Sequence, residues 1–377
     1  MNKPYRRAVF HFSGFDPRGV SMYRQTMAEA VSATNKRDGK SIKISKRRAI
    51  KDEKGVVAHH WSVEDEACCT DFYFLAWDDV IRKQWFRKTA PMIVEGFKGY
   101  FKFITGADTS YFKLVRSWSI ATLFFPLIIM LAFTLLGFAL GSLIVGGLSG
   151  NALMGAIAGV VAIAVILPMA MRRFKGVWLL QFFIFNMQAL SNAELRGDVE
   201  EKLVRFAVFA RTEIEHRDAW QEVLVAGHSN GCMLASLLMQ RLWDSLDEAQ
   251  KSKLALLTFA QSIGLCGFMR KASAVRKSLS ALNDEGLYWL DVTAPTDGAS
   301  CCRTSPLAPF IKDEALVYHY KTVNPRFFKF IDAQRYKGLK HNKFELHFYY
   351  LKALDMPSEY EFLSLLLRAQ SIKELVS

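Results

Sequence analysis

Two long apolar stretches constrain this chain more than any other feature. Residues 120–145 and 152–171 contain no charged side chain. A helix needs about 20 apolar residues to cross the roughly 30 Å hydrocarbon layer of a membrane, and both stretches are long enough. The link at residues 146–151 is short and turn-forming, so the two helices are predicted to run antiparallel as an inserted transmembrane hairpin.

The charges around the hairpin predict its orientation. Basic side chains flank both outer ends, whereas the link carries no charge; they are Lys98, Lys102, Lys113, Arg116, Arg172, Arg173 and Lys175. By the positive-inside rule, both soluble parts face the cytoplasm, a topology that suits a bacterial inner membrane. The formal net charge of +13 also fits an anionic partner such as membrane lipids.

Small residues recur at a four-residue spacing in both apolar stretches. Gly137 with Gly141, and Gly155 with Gly159, have the spacing that lets transmembrane helices approach closely. Such faces can close the hairpin on itself or on a second copy of the chain, so a homo-oligomer is left open.

The segments before and after the hairpin alternate between strand and helix patterns. The patterns predict strands at 7–12, 71–77, 222–226, 254–260, 286–293 and 315–322, and helices at 21–37, 177–216 and 231–243. Residues 41–64 fit either a basic hairpin or a surface excursion. This alternation predicts an α/β fold with a mostly parallel sheet and helices on both faces. If both parts share that sheet, the membrane hairpin is an insertion and not a domain boundary.

Four segments follow from these patterns. They are the first part of the α/β domain at 1–78, a basic aromatic juxtamembrane segment at 79–118, the hairpin at 119–172 and the second part of the α/β domain at 173–377. The juxtamembrane segment has eight basic and three acidic residues. It is predicted to approach the membrane with five aromatic side chains at headgroup depth, namely Trp85, Phe97, Tyr100, Phe101 and Phe103.

A G-x-S-x-G motif at residues 227–231 carries the main chemical signal. It reads GHSNG and lies between an apolar strand pattern and a helical run. In that context the motif predicts a nucleophile elbow, in which small residues permit a strained strand-to-helix turn that exposes the serine hydroxyl. Ser229 is therefore the candidate nucleophile, and a turn without chemistry is the alternative.

A glycine-bearing loop after the first strand is the candidate oxyanion hole. Residues 13–19 read SGFDPRG, and such a loop can turn backbone N–H groups toward the nucleophile. An oxyanion hole needs two donors, typically one from this loop and one from the residue after the serine. The candidates are the N–H groups of Phe15, or alternatively Gly14, and of Asn230.

An acid and a base are expected after the serine, in the order Ser, Asp, His. Asp297 lies just past a predicted strand, whereas Asp291 lies inside that strand and is expected to be structural. His347 is favoured as the base because its aromatic neighbours would keep the imidazole neutral. His341, in a polar and cationic stretch, is the alternative base, and His228 is expected to point away from the site.

Taken in order, the FHFSGFDPRG loop, the GHSNG elbow, the WLDVTAPTDG stretch and the late histidine resemble the α/β-hydrolase superfamily, in particular its lipase and esterase branches. The resemblance implies an α/β-hydrolase-type sheet, Ser229 as nucleophile, Asp297 as acid, a late histidine as base, and backbone donors near Phe15 and Asn230. The long membrane insertion before the nucleophile strand departs from the family, whose lid commonly follows that strand.

These residues predict hydrolysis of an acyl ester. Ser229 would attack the acyl carbonyl, the histidine would pass its proton to the leaving group, and water would release the acyl-enzyme. No metal or organic cofactor is needed, and the six cysteines, which show no C-x-x-C spacing, are expected to be free thiols. Anchoring at a basic membrane face favours a lipid or other long-chain acyl ester. An acyltransferase, or an enzyme that cleaves thioesters, would use the same residues.

Two other functions fit part of the sequence. One is a catalytically inactive hydrolase-fold membrane scaffold that binds a protein partner. The other is a module that binds nucleic acid or a phosphoinositide through a basic run, which consists of Lys43, Lys46, Arg47, Arg48 and Lys51. A solvated strand face or a lipid-facing patch explains this run better, so no nucleic-acid partner is expected.

Overall fold

One mixed β-sheet of nine strands runs through the soluble part of the chain. The computed structural model describes residues 4–108, 113, 117–191, 193–217, 219–264, 269–270, 272–302, 305–308 and 310–377. The strands are Tyr5–Phe12 (β1), Lys43–Ile44 (β2), Arg48–Asp52 (β3), Gly55–Glu64 (β4), Cys68–Leu75 (β5), Glu222–His228 (β6), Leu254–Phe259 (β7), Tyr288–Val292 (β8) and His319–Val323 (β9). Their order is β2-β4-β5-β1-β6-β7-β8-β9, and β3 pairs with β4.

Strands from both sides of the hairpin form the centre of this sheet. β1 pairs in parallel with β5 on one side and with β6 on the other, and β6 to β9 continue in parallel. The antiparallel pairs join β4 to β2, β3 and β5. The predicted α/β class with a mostly parallel sheet is therefore confirmed, and the apolar hairpin is inserted between β5 and β6.

The helices lie on both faces of the sheet and in a separate apolar layer. They are Gly19–Asp38 (α1), Asp78–Gln84 (α2), Thr89–Gly106 (α3), Ser117–Ser149 (α4), Ala152–Arg173 (α5), Gly176–Ser191 (α6), Ala193–His216 (α7), Gly231–Ser245 (α8), Glu248–Lys251 (α9), Ser273–Ser280 (α10), Phe327–Phe330 (α11), Ala333–Leu339 (α12), Lys343–Phe348 (α13), Phe362–Leu366 (α14) and Lys373–Val376 (α15).

Continuous apolar strands explain why both faces of the sheet are buried. Every residue of β6 and β7 is buried, as expected for central parallel strands. One core packs α7 and α8 on the sheet through side chains such as Phe206 and Leu238. The opposite core packs α1 and the C-terminal helices through side chains such as Met27 and Leu365. Each such side chain contributes about 1.5–3 kcal/mol when buried, so the two layers fix the loops at the strand ends.

Helices α4 and α5 are long and apolar enough to span a membrane. Much of their surface is not covered by protein, and large apolar side chains such as Leu135, Leu143 and Val160 are exposed. A core helix of a soluble protein would bury such side chains, and a contiguous exposed apolar surface marks contact with lipid or a partner.

Glycines bring α4 and α5 into close contact. A Cβ added at Gly141 would lie 2.6 Å from the Gly159 Cα, and one at Gly155 would lie 2.9 Å from the Gly146 Cα. Side chains at these positions would force the two helices apart. The glycine faces therefore pack against each other within one hairpin.

The juxtamembrane helix α3 corrects part of the sequence prediction. Tyr100 and Phe103 belong to the protein interior and do not face outward, because both are buried and pack against Phe183 of α6. Phe101 is 71% exposed, and Val94, which lies two turns earlier on the same face of the helix, is exposed as well. The helix thus presents an apolar stripe, as an interfacial helix does, but its aromatic residues are divided between that stripe and the protein core.

Two further aromatic residues of this segment contact protein side chains. Trp85 stacks on Phe15 with ring centroids 5.5 Å apart. Phe97 is partly buried and packs on the core that α3, α4, α5 and α6 form together. Segment 79–118 therefore connects the hairpin to the loop after β1, which the sequence did not predict.

The structure also revises one predicted strand and decides between the two alternatives for another segment. The last strand begins at His319 and not at residue 315, because Asp313–Ala315 forms a 3₁₀ turn. Residues 41–64 contain the β3–β4 hairpin, one of the two alternatives for this region. Its basic run lies exposed on and beside the outer strand β3, where charged side chains discourage pairing with another sheet.

Candidate active site

Ser229 lies at a sharp turn between β6 and α8. Its backbone φ is 55°, in the left-handed region that non-glycine residues rarely adopt. A Cβ at Gly231 would lie 2.5 Å from the Phe12 carbonyl oxygen, and one at Gly227 would lie 2.7 Å from the Cys232 Cα. Glycine is therefore required on both sides, and the strained turn holds the serine hydroxyl at the carboxyl end of β6.

Three residues that the sequence singled out meet in one hydrogen-bonded relay. His347 Nε2 lies 2.7 Å from Ser229 Oγ, and His347 Nδ1 lies 2.9 Å from Asp297 Oδ2. Because a carboxylate only accepts hydrogen bonds, Nδ1 carries the proton and Nε2 is left to accept the serine proton. Asp297 is buried, and its Oδ1 accepts a hydrogen bond from the Ala299 N–H at 3.0 Å, which fixes the carboxylate. The arrangement can move a proton from serine to imidazole.

The loop after β1 brings backbone donors close to Ser229. A Cβ added at Gly14 would lie 3.1 Å from the Ser229 Cβ, so a larger residue would crowd Ser229. Among the described residues, the N–H groups of Phe15 and Asn230 donate no hydrogen bond. The Gly14 N–H, in contrast, donates to the Tyr23 hydroxyl at 2.7 Å. Phe15 and Asn230 thus have N–H groups available, whereas that of Gly14 is occupied.

His228 and Tyr23 form a second network that sequence reasoning missed. His228 Nε2 lies 2.9 Å from the His347 carbonyl oxygen, and His228 Nδ1 lies 3.1 Å from the Tyr23 hydroxyl. A carbonyl only accepts, so Nε2–H donates to it and the Tyr23 O–H donates to Nδ1. Burial, aided by the neighbouring His347, holds the pKa of His228 well below its usual range. The prediction that His228 points away from the site is wrong.

The relay opens into a cavity of about 680 Å³, within the range of about 300–1,000 Å³ typical of small-molecule sites. Its walls come from the loop after β1, the segment around His347, and the apolar hairpin together with the helix α6 that follows it. The lining residues from that last region are Ala121, Thr122, Phe125, Arg173, Phe174, Lys175, Trp178, Leu179 and Phe182. The cavity therefore reaches from Ser229 to the adjacent ends of α4 and α5.

Two other candidate residues lie outside the relay. His341 is exposed and lines the cavity, while His347 occupies the position beside Ser229. Asp291 is fully buried in β8 and does not line the cavity; it accepts a hydrogen bond from Thr258 Oγ1 at 2.7 Å. Burial raises the pKa of Asp291 to about 7. These contacts make Asp291 part of the sheet interior.

No family model, curated protein or solved structure matches this chain. Similarity therefore assigns neither a family nor an activity. The residues of the site and their geometry are therefore the basis for the proposed function.

Proposed function

We propose that this chain is a membrane-anchored serine hydrolase of the α/β-hydrolase type, which cleaves an acyl ester through a Ser-His-Asp triad. The observation that carries the proposal is the continuous relay from Ser229 through His347 to Asp297, with hydrogen bonds of 2.7 and 2.9 Å. The strained turn at the serine and the nearby N–H groups of Phe15 and Asn230 support the same chemistry.

In the proposed reaction, His347 accepts the Ser229 proton as the serine oxygen attacks the acyl carbonyl. The carbonyl oxygen gains negative charge, which the N–H groups of Phe15 and Asn230 stabilise. Asp297 holds the imidazole in its productive tautomer and stabilises the imidazolium. The imidazolium gives its proton to the leaving alkoxide, and a water molecule then repeats the sequence to release the carboxylic acid and restore the serine.

A lipid or other long-chain acyl ester is the proposed substrate. Phe125, Phe174, Leu179 and Phe182 line the cavity with apolar surface where it meets the ends of the hairpin helices. An acyl chain that leaves the bilayer could therefore reach Ser229 without crossing water.

The same proposal orients the catalytic part toward the cytoplasm of a bacterial inner membrane, because the basic residues flank the outer ends of the hairpin. Asn151→Cys places a thiol at the tip of the hairpin. A membrane-impermeant maleimide should label this variant, and not the wild type, from the outside of intact cells. Labelling that requires permeabilised cells would reverse the orientation.

Covalent labelling with a fluorophosphonate tests the hydrolase proposal. The detergent-solubilised wild type should be labelled, Ser229→Ala should abolish labelling, and His347→Ala and Asp297→Ala should slow it about a hundredfold or more. His341→Ala is the matched control, since His341 lines the same cavity outside the relay, and it should react like the wild type.

Two outcomes would change this proposal. A folded wild-type protein that is not labelled would favour the catalytically inactive scaffold. If the probe labels Ser229 and, in a separate assay, the unlabelled enzyme transfers the acyl group of an ester to an added alcohol without releasing free acid, an acyltransferase would be favoured.

A further inference from the structure

The cavity beside Ser229 has an uneven distribution of charge. Three basic residues, Arg173, Lys175 and Lys343, line it. Asp297 is the one carboxylate among the described residues of its lining, and it is already engaged in the relay. Positive charge that is not compensated in a partly enclosed cavity attracts an anionic group.

Two of these cations lack a carboxylate partner. Elsewhere in the chain, basic side chains are commonly paired, for example Arg205 with Asp52 at 2.6 Å. Neither Arg173 nor Lys175 forms an ion pair with a carboxylate of the part of the chain that the structure describes. Lys175 Nζ instead lies 2.9 Å from the neutral Asn342 Oδ1. Both positive charges therefore remain available to an incoming anion.

The backbone at Lys175 is a second indication that its side chain is used. This residue follows the end of α5 with a φ of 56°, a conformation that favours glycine and costs another residue about 1–2 kcal/mol. The next residue is Gly176, yet the lysine occupies the strained position. Its Nζ is directed to Asn342 and lies 5.8 Å from the centre of the Phe344 ring, on the segment that leads to His347.

If α5 spans the membrane, Arg173 and Lys175 lie at the depth at which lipid phosphates are found. Arg173 is the last residue of α5, a helix long enough to span the membrane, and it is exposed. Basic residues at such helix ends meet the phosphates of the headgroup layer. Phe125 and Phe182 extend the same cavity with apolar walls toward Ser229.

We infer that Arg173 and Lys175 form a phosphate-binding site, which selects acyl esters that carry a phosphate group, such as glycerophospholipids, over uncharged esters. The inference rests on the proposed hydrolase function and names its substrate class. The guanidinium of Arg173 can bind two phosphate oxygens at once, and the ammonium group of Lys175 adds a point charge beside it. The acyl chain then lies along the aromatic wall, with its carbonyl at Ser229.

The test compares two substrates with identical acyl chains, phosphatidylglycerol and diacylglycerol, in the same uncharged detergent micelles. We expect the wild-type kcat/KM to be at least about tenfold higher for phosphatidylglycerol. Joint substitution of Arg173→Gln and Lys175→Gln should lower this ratio about tenfold. Arg172→Gln controls for the loss of positive charge, because it removes one such charge from the same helix end at a residue that does not line the cavity.

Three results would overturn the phosphate site. The wild type could show equal kcat/KM for phosphatidylglycerol and diacylglycerol. Alternatively, the double variant could leave the ratio of these two values unchanged, or Arg172→Gln could lower the ratio as much as the double variant does. Fluorophosphonate labelling of Ser229 in the same samples separates the two proposals. Normal labelling without a phosphate preference rejects this inference alone, whereas the absence of labelling rejects the hydrolase.

The bound phosphate could be a free ion or part of a lipid headgroup. Adding inorganic phosphate, with chloride at equal ionic strength as the control, separates these two sources. If it inhibits diacylglycerol hydrolysis by the wild type but not by the double variant, a free phosphate suffices for binding. If it does not inhibit but the preference for phosphatidylglycerol holds, the lipid-borne phosphate is the ligand. Either result supports a phosphate site at these residues.

Discussion

A chain of hydrogen bonds through His228 links the loop after β1 to His347, the proposed base. The donors run from the Gly14 N–H to the Tyr23 oxygen, from the Tyr23 O–H to His228 Nδ1, and from His228 Nε2–H to the His347 carbonyl. Each polar group in this buried chain has a partner, so each fixes the next. In the proposed mechanism, His228 and Tyr23 are therefore positioning residues, which hold the loop after β1 and His347 without contacting the reacting atoms.

Tyr23→Phe should lower kcat more than it changes KM. It leaves the Gly14 N–H and His228 Nδ1 without a buried partner, at about 1–3 kcal/mol for each group, and we expect kcat for ester hydrolysis to fall about tenfold. Tyr73→Phe is the control, because it removes a buried phenol that donates to Glu213 at 2.7 Å and does not line the cavity. It should lower Tm without lowering kcat. If Tyr23→Phe and Tyr73→Phe lowered kcat equally, the role of Tyr23 would be purely structural.

Asp291 should make the protein less stable as the pH rises. Burial raises its pKa from 3.8 to about 7, so between these values the folded protein keeps a proton that the unfolded chain has lost. Stability therefore falls across this window by about 1.4 kcal/mol per pH unit from this group, and the loss is complete above the folded-state pKa.

Asp291→Asn isolates this effect, since it keeps the shape of the neutral acid and does not titrate. The Tm of the variant minus that of the wild type should grow from about pH 5 to about pH 8. His11, whose buried ring has a pKa lowered to about 3, titrates with the opposite sign but in both proteins, so the difference removes it. A difference that is independent of pH would contradict a raised pKa at Asp291.

Sequence reasoning singled out residues whose signal is local. The GHSNG motif contains Ser229 and its glycines together, and Asp297 directly follows a strand pattern. The contact of His228 with Tyr23 spans 205 residues and forms only when β1 and β6 pair, so no local pattern reveals it. The choice between His347 and His341 depended likewise on the direction of the short helix α13, which composition does not give.

At the scale of elements, α3 shows that aromatic residues in a sequence do not reveal whether they face a membrane or the protein core. Aromatic side chains suit both a membrane interface and a buried core. Tyr100 stacks on Phe183 with ring centroids 4.0 Å apart, and its hydroxyl donates to the Leu123 carbonyl oxygen at 2.7 Å. The sequence predicted an aromatic approach to the membrane for this segment, but the face that is buried is determined by packing against α4 and against α6, and α6 is distant in sequence.

The hairpin gives an element-scale prediction in which two identical substitutions act with opposite sign. Gly141→Ala would place a Cβ 2.6 Å from the Gly159 Cα and should separate the helices and lower Tm in detergent. Gly147→Ala, with no atom within 4 Å of the new Cβ, should raise stability by up to about 1 kcal/mol through helix propensity. Equal shifts in Tm would mean that α4 and α5 are not closely packed at Gly141.

At the scale of the whole molecule, the insertion point explains how the apolar hairpin and the mixed sheet share one chain. The chain leaves the sheet after β5 and returns as β6 on the other side of β1. A crossover of this kind tolerates a long insertion because no ladder of the sheet is interrupted. Ligands of parallel sheets bind at the carboxyl ends of the strands, and the ends of the inserted hairpin line the cavity at this edge.

If the hairpin is a wall of the proposed site, its membrane end should determine which acyl chains reach Ser229. Ala121→Trp fills the cavity at the start of α4, so kcat/KM for a long-chain ester should fall at least about tenfold while that for an acetyl ester changes less than about twofold. Leu135→Trp, at a residue of the same helix that is 70% exposed and outside the cavity, should change neither. Unchanged long-chain hydrolysis in Ala121→Trp would mean that the acyl chain enters by another route, and the hairpin would then serve as an anchor without shaping the substrate site.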